Sequence, residues 1–151
     1  MKVALVEATP ADESKVFVWH NNPQTRCYSV NPEEVSWEEH KRWFAGVLAD
    51  RSRHLLIAKD DGDEVGVLRL DVENDAADIS IYVIPGLADR GYGTAIIRAA
   101  IEWTEANLPV DRLTAKVSEK NTSSVRLFNK IGFVLIVKNN NWLSFEKELR
   151  R

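Results

Sequence analysis

A predicted strand, a loop with two glycines and a long helix follow one another directly, and this succession constrains the fold most. Residues 78–84 (DISIYVI) are rich in β-formers and stop at Pro85, while residues 91–107 repeat apolar side chains on one broad helical face. The free N–H groups and partial positive charge of a helix N-terminus attract anions, and glycines allow a ligand to approach closely. The loop therefore predicts an anion site suited to a pyrophosphate.

Other interpretations of Gly91 and Gly93 stay open at this point. The two glycines could simply make a tight turn between strand and helix. A Rossmann dinucleotide site requires a third glycine where this chain has Ile96. A nucleoside-triphosphate loop requires Gly-Lys-Ser/Thr, which does not follow. Arg90 could add positive charge to an anion site, and Thr94 could donate its hydroxyl.

The remaining pattern predicts a mixed α/β arrangement in the order β-α-α-β-β-β-α-β-α-β-β. Asp12 is predicted to cap the first helix, Pro23 to end it, and Ser36 to open the second through a capping box. The predicted strands are 3–8, 55–59, 65–72, 78–84, 113–117, 133–137 and 142–148, and the predicted helices are 12–21, 37–49, 91–107 and 121–132.

Composition narrows the class of protein. The length of 151 residues predicts one domain spanning 1–151, and a net charge of -3 argues against a nucleic-acid partner. The lone Cys27 forms no internal disulfide, and no cysteine or histidine spacing predicts a metal site. No apolar run reaches the roughly 18 residues of a membrane span, so no membrane partner and a cytoplasmic location are expected.

A second segment, Asn121 to Phe133 (NTSSVRLFNKIGF), closes with Lys-x-Gly-Phe. Together with the glycine loop it resembles the GNAT superfamily of N-acetyltransferases. Members share Gln/Arg-x-x-Gly-x-Gly/Ala after the fourth strand and, farther along, Asn-x-x-(Ala/Ser)-x-x-Leu-(Tyr/Phe)-x-Lys-x-Gly-Phe. Both motifs occur here in the right order and spacing. Ala88 departs from the pattern, since Gln or Arg is usual there, and Arg90 could partly substitute.

The resemblance implies a GNAT fold, a mostly antiparallel sheet of about seven strands flanked by four helices and splayed between its fourth and fifth strands. It also implies acetyl-CoA as co-substrate, with direct attack by an amine and no acyl-enzyme. The backbone of the fourth strand would meet the pantetheine arm, the glycine loop the pyrophosphate, and the helix after Asn121 the rest of the arm. The implied contacts are Ile81, Tyr82, Val83, Ala88, Asp89, Arg90, Gly91, Tyr92, Gly93, Thr94, Asn121, Ser124 and Phe128.

The attack requires a neutral amine and a proton for the leaving thiolate. Asp78 is the candidate base, directly or through a water, although a carboxylate at a strand start is also commonplace. Many relatives have a tyrosine acid where this chain has Phe128. Tyr82 or a water is therefore the candidate acid, or the thiolate leaves unaided. No pairing with histidine favours Cys27 as a nucleophile.

A third pattern concerns the acceptor. The run Trp-His-Asn-Asn-Pro from Trp19, followed by Arg26 and by His40-x-x-Trp43-Phe44, resembles one GNAT branch. That branch acetylates amino groups of nucleotide-linked sugars, as in the pseudaminic acid pathway; the first pattern recurs more loosely in enzymes acting on ribosomal-protein N-termini. The chemistry of these side chains agrees: Arg26 could pair with a phosphate, Trp43 or Trp37 could stack on a nucleobase or sugar face, and His40 could hydrogen-bond the acceptor. The implied acceptor contacts are Asn21, Arg26, His40 and Trp43.

The predicted function is thus transfer of acetyl to a primary amine of a small molecule, preferably an amino sugar on a nucleotide carrier. A protein N-terminus or a polyamine is the alternative acceptor. A catalytically silent CoA-binding domain is the alternative of another class, since Ala88 and Phe128 depart from the common pattern. The same residues of the acceptor half could also serve the core alone: tryptophans at helical spacing pack inside, and Arg26 could satisfy a helix end. A monomer or a homodimer is expected.

Overall fold

A seven-stranded sheet organises the chain, and the computed structural model describes residues 1–150 of it. None of the helices in that range combines the length and apolar character that a membrane crossing requires. The strands are β1 (Val3–Glu7), β2 (Arg53–Asp60), β3 (Asp63–Glu73), β4 (Ala76–Val83), β5 (Arg112–Ser118), β6 (Val134–Asn139) and β7 (Trp142–Glu148). The helices are α1 (Glu13–Asn21), α2 (Pro23–Arg26), α3 (Trp37–Ala49), α4 (Tyr92–Asn107) and α5 (Thr122–Ile131).

The strands lie in the order β1-β2-β3-β4-β5-β7-β6. All neighbours are antiparallel except β4 and β5, which are parallel. A parallel pair requires a crossover, and α4 supplies it between these two strands. The β2–β3 hairpin turns at Asp61 and Gly62, both with positive φ. The predicted mixed α/β fold is confirmed.

The pairing of β4 with β5 stops early. Only residues 76–78 of β4 pair with residues 112–114 of β5, and the strands then separate. The opposite edge of β4 stays paired with β3 up to Val83. The predicted splay between the fourth and fifth strands is therefore confirmed, and the far half of β4 presents an unpaired backbone edge.

Two apolar clusters cover the two faces of the sheet. Ile96, Ile97 and Ala100 of α4 pack on one face over Ala77 and Ile79 of β4. Val16 of α1 and Phe44 of α3 pack on the other face. Since side chains alternate along a strand, Asp78, Ser80 and Tyr82 point away from α4 and towards α1 and α3.

The structure corrects two local predictions. The Asp12 side chain accepts a hydrogen bond from the Thr9 N–H (2.9 Å), so it closes a preceding 3₁₀ turn and does not cap α1. Pro23 ends α1 as predicted, but it also opens α2, a short helix that the sequence did not predict. The Asn22 side chain caps α2 by accepting from the Gln24 N–H (2.9 Å), and a proline fits the first turn because it lacks an N–H.

Strand bounds also differ slightly from the prediction. Strand β4 begins at Ala76, two residues earlier than predicted, and β6 runs over Val134–Asn139. The other predicted caps hold: the Ser36 hydroxyl accepts from the Glu39 N–H (3.2 Å), and Gly132 ends α5 with φ of 107°. That left-handed conformation is the reason a glycine ends this helix.

Candidate active site

A cleft of about 990 Å³ opens where β4 and β5 separate. Its walls come from β3, β4 and β5, from α5 on one side and from α1 and α2 on the other. The unpaired edge of β4 runs along it. Two halves can therefore be distinguished: a cofactor side, towards α4 and α5, and an acceptor side, towards α1, α2 and α3.

The loop at the start of α4 has the geometry of an anion site. Gly91 is the N-cap with φ of 83°, and no side chain caps the helix, so the first-turn N–H groups have no side-chain acceptor. A Cβ on Gly91 would meet nothing within 4 Å, whereas one on Gly93 would lie 3.0 Å from the Leu127 side chain. Gly91 is thus required by backbone conformation and Gly93 by the approach of α4 to α5.

The cofactor side gathers most residues that the sequence predicts for the coenzyme. Ile81, Tyr82, Val83 and Ala88 line the cleft from β4 and the following loop. Asn121, Ser124 and Phe128 face them from α5. The Asn121 side chain also caps α5 through the Ser124 N–H (3.3 Å). The other predicted contacts surround the start of α4 without lining the cleft: Asp89, Arg90, Gly91, Tyr92, Gly93 and Thr94.

Asp78 lies at the fork, the point where β4 and β5 separate, and is the last residue of β4 that pairs with β5. Its Oδ1 accepts a hydrogen bond from the Thr114 hydroxyl (2.7 Å). Burial raises the pKa of Asp78 above its ordinary value, while the Thr114 bond and the charges of Lys116 and Arg69 oppose that rise. A half-buried carboxylate with a raised pKa at a cleft wall has the character of a general base.

Tyr82 and His20 form a stacked pair on the acceptor side. Their rings lie 6.0 Å apart with 17° between planes. The Tyr82 hydroxyl is buried with no hydrogen-bond partner among residues 1–150, and burial raises the Tyr82 pKa. Burial, followed by the charge of Arg26, lowers the pKa of His20 to about 4. At neutral pH the site therefore holds a protonated phenol beside an uncharged imidazole.

Arg26 is a buried cation at the wall of the cleft, with 7% of its surface exposed. Its Nη1 donates to His20 Nε2 (3.2 Å), and its Nη2 donates to the Asn31 carbonyl. Because a guanidinium can only donate, Nε2 of His20 is the acceptor in this pair. Its Nε is buried with no partner in the described part of the chain. No carboxylate within residues 1–150 pairs with it.

The other predicted acceptor residues take different positions. Trp43 lines the cleft. His40 does not: it is buried among aromatic rings, donates from Nε2 to the Glu13 carbonyl (2.9 Å), and reaches the acceptor side only through its contact with Trp43 (5.7 Å). Asn21 exchanges two 2.8 Å hydrogen bonds with the Val35 backbone and thereby fixes the loop before α3.

His20 and Arg69 are among the cleft residues that the sequence predictions missed. His20 belongs to the Trp-His-Asn-Asn-Pro run but was not among the predicted acceptor contacts, and that run was the available signal. Arg69 of β3 lines the cleft, with its guanidinium 5.8 Å from the Trp43 ring centre. A signal for Arg69 existed in the alternation of β3, since Val67 on the same face is buried and a charged residue there is unusual.

Comparison with known proteins identifies the family. The sequence model of the acetyltransferase (GNAT) domain matches residues 2–134. The chain belongs to the GNAT acetyltransferase family. It is accordingly an acetyl-CoA-dependent N-acetyltransferase. A GNAT relative is the L-amino acid N-acetyltransferase AaaT of Escherichia coli, 29% identical over 141 residues that cover 87% of this chain and 83% of AaaT.

Solved structures of GNAT enzymes share the fold. A spermidine N-acetyltransferase from Vibrio cholerae, in complex with CoA and spermine, superposes with a TM-score of 0.86 at 16% identity, covering 97% of this chain and 95% of that one. The N-acetyltransferase PseH of Campylobacter jejuni, in complex with acetyl coenzyme A, gives 0.77 at 17% identity, covering 97% and 98%. At these identities the likeness establishes the GNAT fold alone.

The residues of this chain fit acetyl-CoA on structural grounds. The uncapped first turn of α4 offers backbone donors for a pyrophosphate, and the separated edge of β4 offers backbone groups for the amides of an extended arm. The absence of a glutamine or arginine at position 88 leaves these backbone donors unchanged. Among residues 1–150, no group of three or more His, Cys, Asp or Glu side chains is arranged to hold a metal ion.

Proposed function

We propose that this enzyme transfers acetyl to the primary amine of an amino sugar carried on a nucleotide, by direct attack of the amine on acetyl-CoA. The observation that carries the proposal is the position of Asp78. Its carboxylate, with a raised pKa, lies where β4 and β5 separate, between the cofactor side and the acceptor side. The acceptor side holds Arg26, a buried arginine without a carboxylate partner.

The cofactor side would hold acetyl-CoA in two places. The N–H groups of the first turn of α4 would bind the pyrophosphate, with Arg90 adding charge and Thr94 a hydroxyl. Backbone groups of residues 81–83 would pair with the pantetheine amides, while Asn121, Ser124 and Phe128 enclose the arm. When bound, acetyl-CoA supplies the activated acetyl group as a thioester.

On the acceptor side Asp78 would take the proton of the attacking amine, directly or through one water. The Thr114 hydrogen bond occupies Oδ1, so Oδ2 would be the oxygen that accepts the proton. The Tyr82 hydroxyl would supply the proton to the leaving thiolate. Its raised pKa keeps it protonated, and it has no competing partner within residues 1–150. Phe128 has no hydroxyl for this purpose.

The nucleotide-linked acceptor is supported by Arg26 and Trp43. A guanidinium buried without a carboxylate is stabilised by an anion that enters with the ligand, and its fork matches phosphate oxygens. The Trp43 ring offers a flat apolar face for a nucleobase or sugar. A second candidate acceptor is a free amino acid, because its carboxylate suits the same guanidinium and the relative AaaT is named for that substrate.

Release of free thiol from acetyl-CoA across a panel of amines tests the proposal. The panel comprises UDP-glucosamine, glucosamine, L-leucine, spermidine and a short peptide with a free N-terminus. We expect the highest kcat/KM with UDP-glucosamine, and a loss of activity in Asp78→Asn. If the protein binds acetyl-CoA but none of these amines raises thiol release above background, the proposed acetyl transfer is contradicted. A preference for L-leucine would select the second candidate.

A further inference from the structure

Arg69 brings a second positive charge to the acceptor side. It projects from β3, donates from Nε to Asp71 (3.0 Å), and lies over the Trp43 ring at 5.8 Å. Its Nη2 reaches the Ser80 hydroxyl at 3.4 Å, a long bond at the edge of the strand, and Nη1 bonds to no group in residues 1–150. One edge of the guanidinium is thus anchored, and the other has donors to spare.

Asp71 does not cancel this charge, because two arginines share it. Arg53 donates to Asp71 Oδ1 (3.0 Å) from the neighbouring strand, so the three side chains together keep one positive charge. The cleft as a whole is cationic. Of its lining residues in the described chain, Arg26, Arg69 and Lys116 carry positive charge and only Asp78 carries negative charge.

The positive charge of Arg69 acts on groups on both sides of the expected acceptor position. Burial dominates the pKa of both His20 and Asp78, lowering the first and raising the second, and the charge of Arg69 acts on each group in the lowering direction. Arg26 and Arg69 line the same cleft as Asp78, so a ligand amine that approaches Asp78 enters the field of both guanidinium groups. Like charges that converge on a partly enclosed cleft repel polycations and attract anions.

We propose that Arg69 is a specificity-determining residue that, with Arg26, selects amines bearing an anionic group of phosphate or carboxylate chemistry and rejects polyamines. The inference rests on the proposed function only in taking this half of the cleft as the acceptor side. The Arg69 guanidinium lies over the Trp43 ring at 5.8 Å, and its N–H groups without a short hydrogen bond remain available to an anion. The same positive charge repels polycations, and repulsion of the wrong ligand adds to the specificity that attraction of the right ligand provides.

Binding without turnover tests the proposal. The protein is first saturated with CoA, so that phosphate probes cannot occupy the coenzyme site, and calorimetric titration follows at fixed ionic strength. The probes are UDP for phosphate, N-acetyl-L-leucine for carboxylate and spermidine for a polycation. Wild-type protein is expected to bind at least one anionic probe more tightly than spermidine. Whichever anion binds more tightly identifies the source of the anionic group.

The variants are Arg69→Gln, Arg69→Lys and the matched control Arg53→Gln. Arg53 shares Asp71 and carries the same charge, but it is not among the described residues that line the cleft. We expect Arg69→Gln to weaken the anionic probe about tenfold or more, and Arg69→Lys to recover part of the loss. Arg53→Gln removes the same charge from the three side chains but no donor from the cleft, so its loss should be clearly smaller, about threefold. Circular dichroism verifies that each variant is folded.

Three results would overturn the proposal: tighter binding of spermidine than of both anions, equal losses in Arg69→Gln and Arg53→Gln, or no binding of either anion. Should Arg69→Gln fail to fold, the comparison of Arg69→Lys with Arg53→Lys decides the matter in the same way. Failure of the proposed function is visible separately, as absence of thiol release. Anion binding that depends on Arg69 in a protein without thiol release would leave the inference standing alone.

Discussion

The Thr114 hydroxyl donates a 2.7 Å hydrogen bond to Asp78 Oδ1 across the last paired position of β4 and β5. The bond joins the two strands at the point where their backbones separate. It stabilises the ionised carboxylate and therefore acts against burial, which raises the Asp78 pKa. Thr114 is thus positioned to set both the direction and the protonation of the candidate base.

Replacing Thr114 by valine, which has nearly the same shape, is expected to raise the Asp78 pKa further. A base works only when ionised, so the acidic limb of the kcat/KM profile should move to higher pH, and activity at pH values on that limb should fall about three- to tenfold. Thr114→Ser, which keeps the hydroxyl, serves as the control. An acidic limb that stays in place in Thr114→Val would separate Thr114 from the titrating group.

Asp78→Asn is expected to lower kcat/KM about a hundredfold or more, since general base catalysis commonly contributes that much. The loss should be greatest above the Asp78 pKa, where the wild-type carboxylate is ionised, and the acidic limb should disappear. Acetyl-CoA affinity, measured by calorimetry, should stay within about threefold, because the coenzyme donors lie elsewhere. An unchanged pH profile would retire Asp78 as the base.

Tyr82→Phe should affect stability and catalysis in opposite directions. The variant removes a buried hydroxyl that lacks a partner within residues 1–150, so the free energy of unfolding should stay level or rise by about 1 kcal/mol. If the hydroxyl protonates the leaving thiolate, kcat should fall about ten- to a hundredfold with little change in KM for acetyl-CoA. Thermal melting and steady-state kinetics give the two readings; full activity in a folded variant would assign the proton to water.

Gly93→Trp should abolish acetyl-CoA binding, because the side chain would be forced into the contact with Leu127, which lies 3.0 Å from the expected Cβ position. Gly46→Ala is the control: the helix α3 has open space at that position, and alanine should stabilise it by about 0.5–1 kcal/mol. Calorimetric titration with acetyl-CoA measures the difference. Undiminished binding by folded Gly93→Trp would remove the start of α4 as the coenzyme site.

Local signals explain which parts of the fold were predictable. The glycine loop, α4 and the glycine that ends α5 depend on neighbouring residues alone, and all three were predicted at their observed places. Helix α2 was missed because its four residues are too short for a periodic pattern, and its stability comes from the Asn22 cap and the proline. The Asp12 side chain was predicted to cap α1, but it accepts instead from the N–H of Thr9, which lies three residues earlier in the chain.

The acceptor side was less predictable because it depends on distant contacts. The burial of Arg26 requires His20 and Asn31 around its guanidinium, and the exposure of Arg69 to the cleft requires strands that meet only in the folded sheet. The burial of His40 likewise comes from rings on α1 and α3 that a sequence pattern does not assign to one another. Motifs indicated where a ligand would enter, while the charge of the cleft emerged only from the tertiary arrangement.

Because β4 separates early from β5, the two halves of the sheet are joined only by the pairing of residues 76–78 with residues 112–114. An extended ligand along the free edge of β4 would act as a missing strand and couple the halves. The amide hydrogens of β4 that point to its free edge should then exchange slowly with deuterium only in the loaded enzyme, whereas those paired with β3 are protected in both states. Binding itself would add about 2.7 kcal/mol to the unfolding free energy when the coenzyme exceeds its Kd a hundredfold. Slower exchange along the free edge would show that the loaded enzyme, the form ready to react, is also the more rigid one.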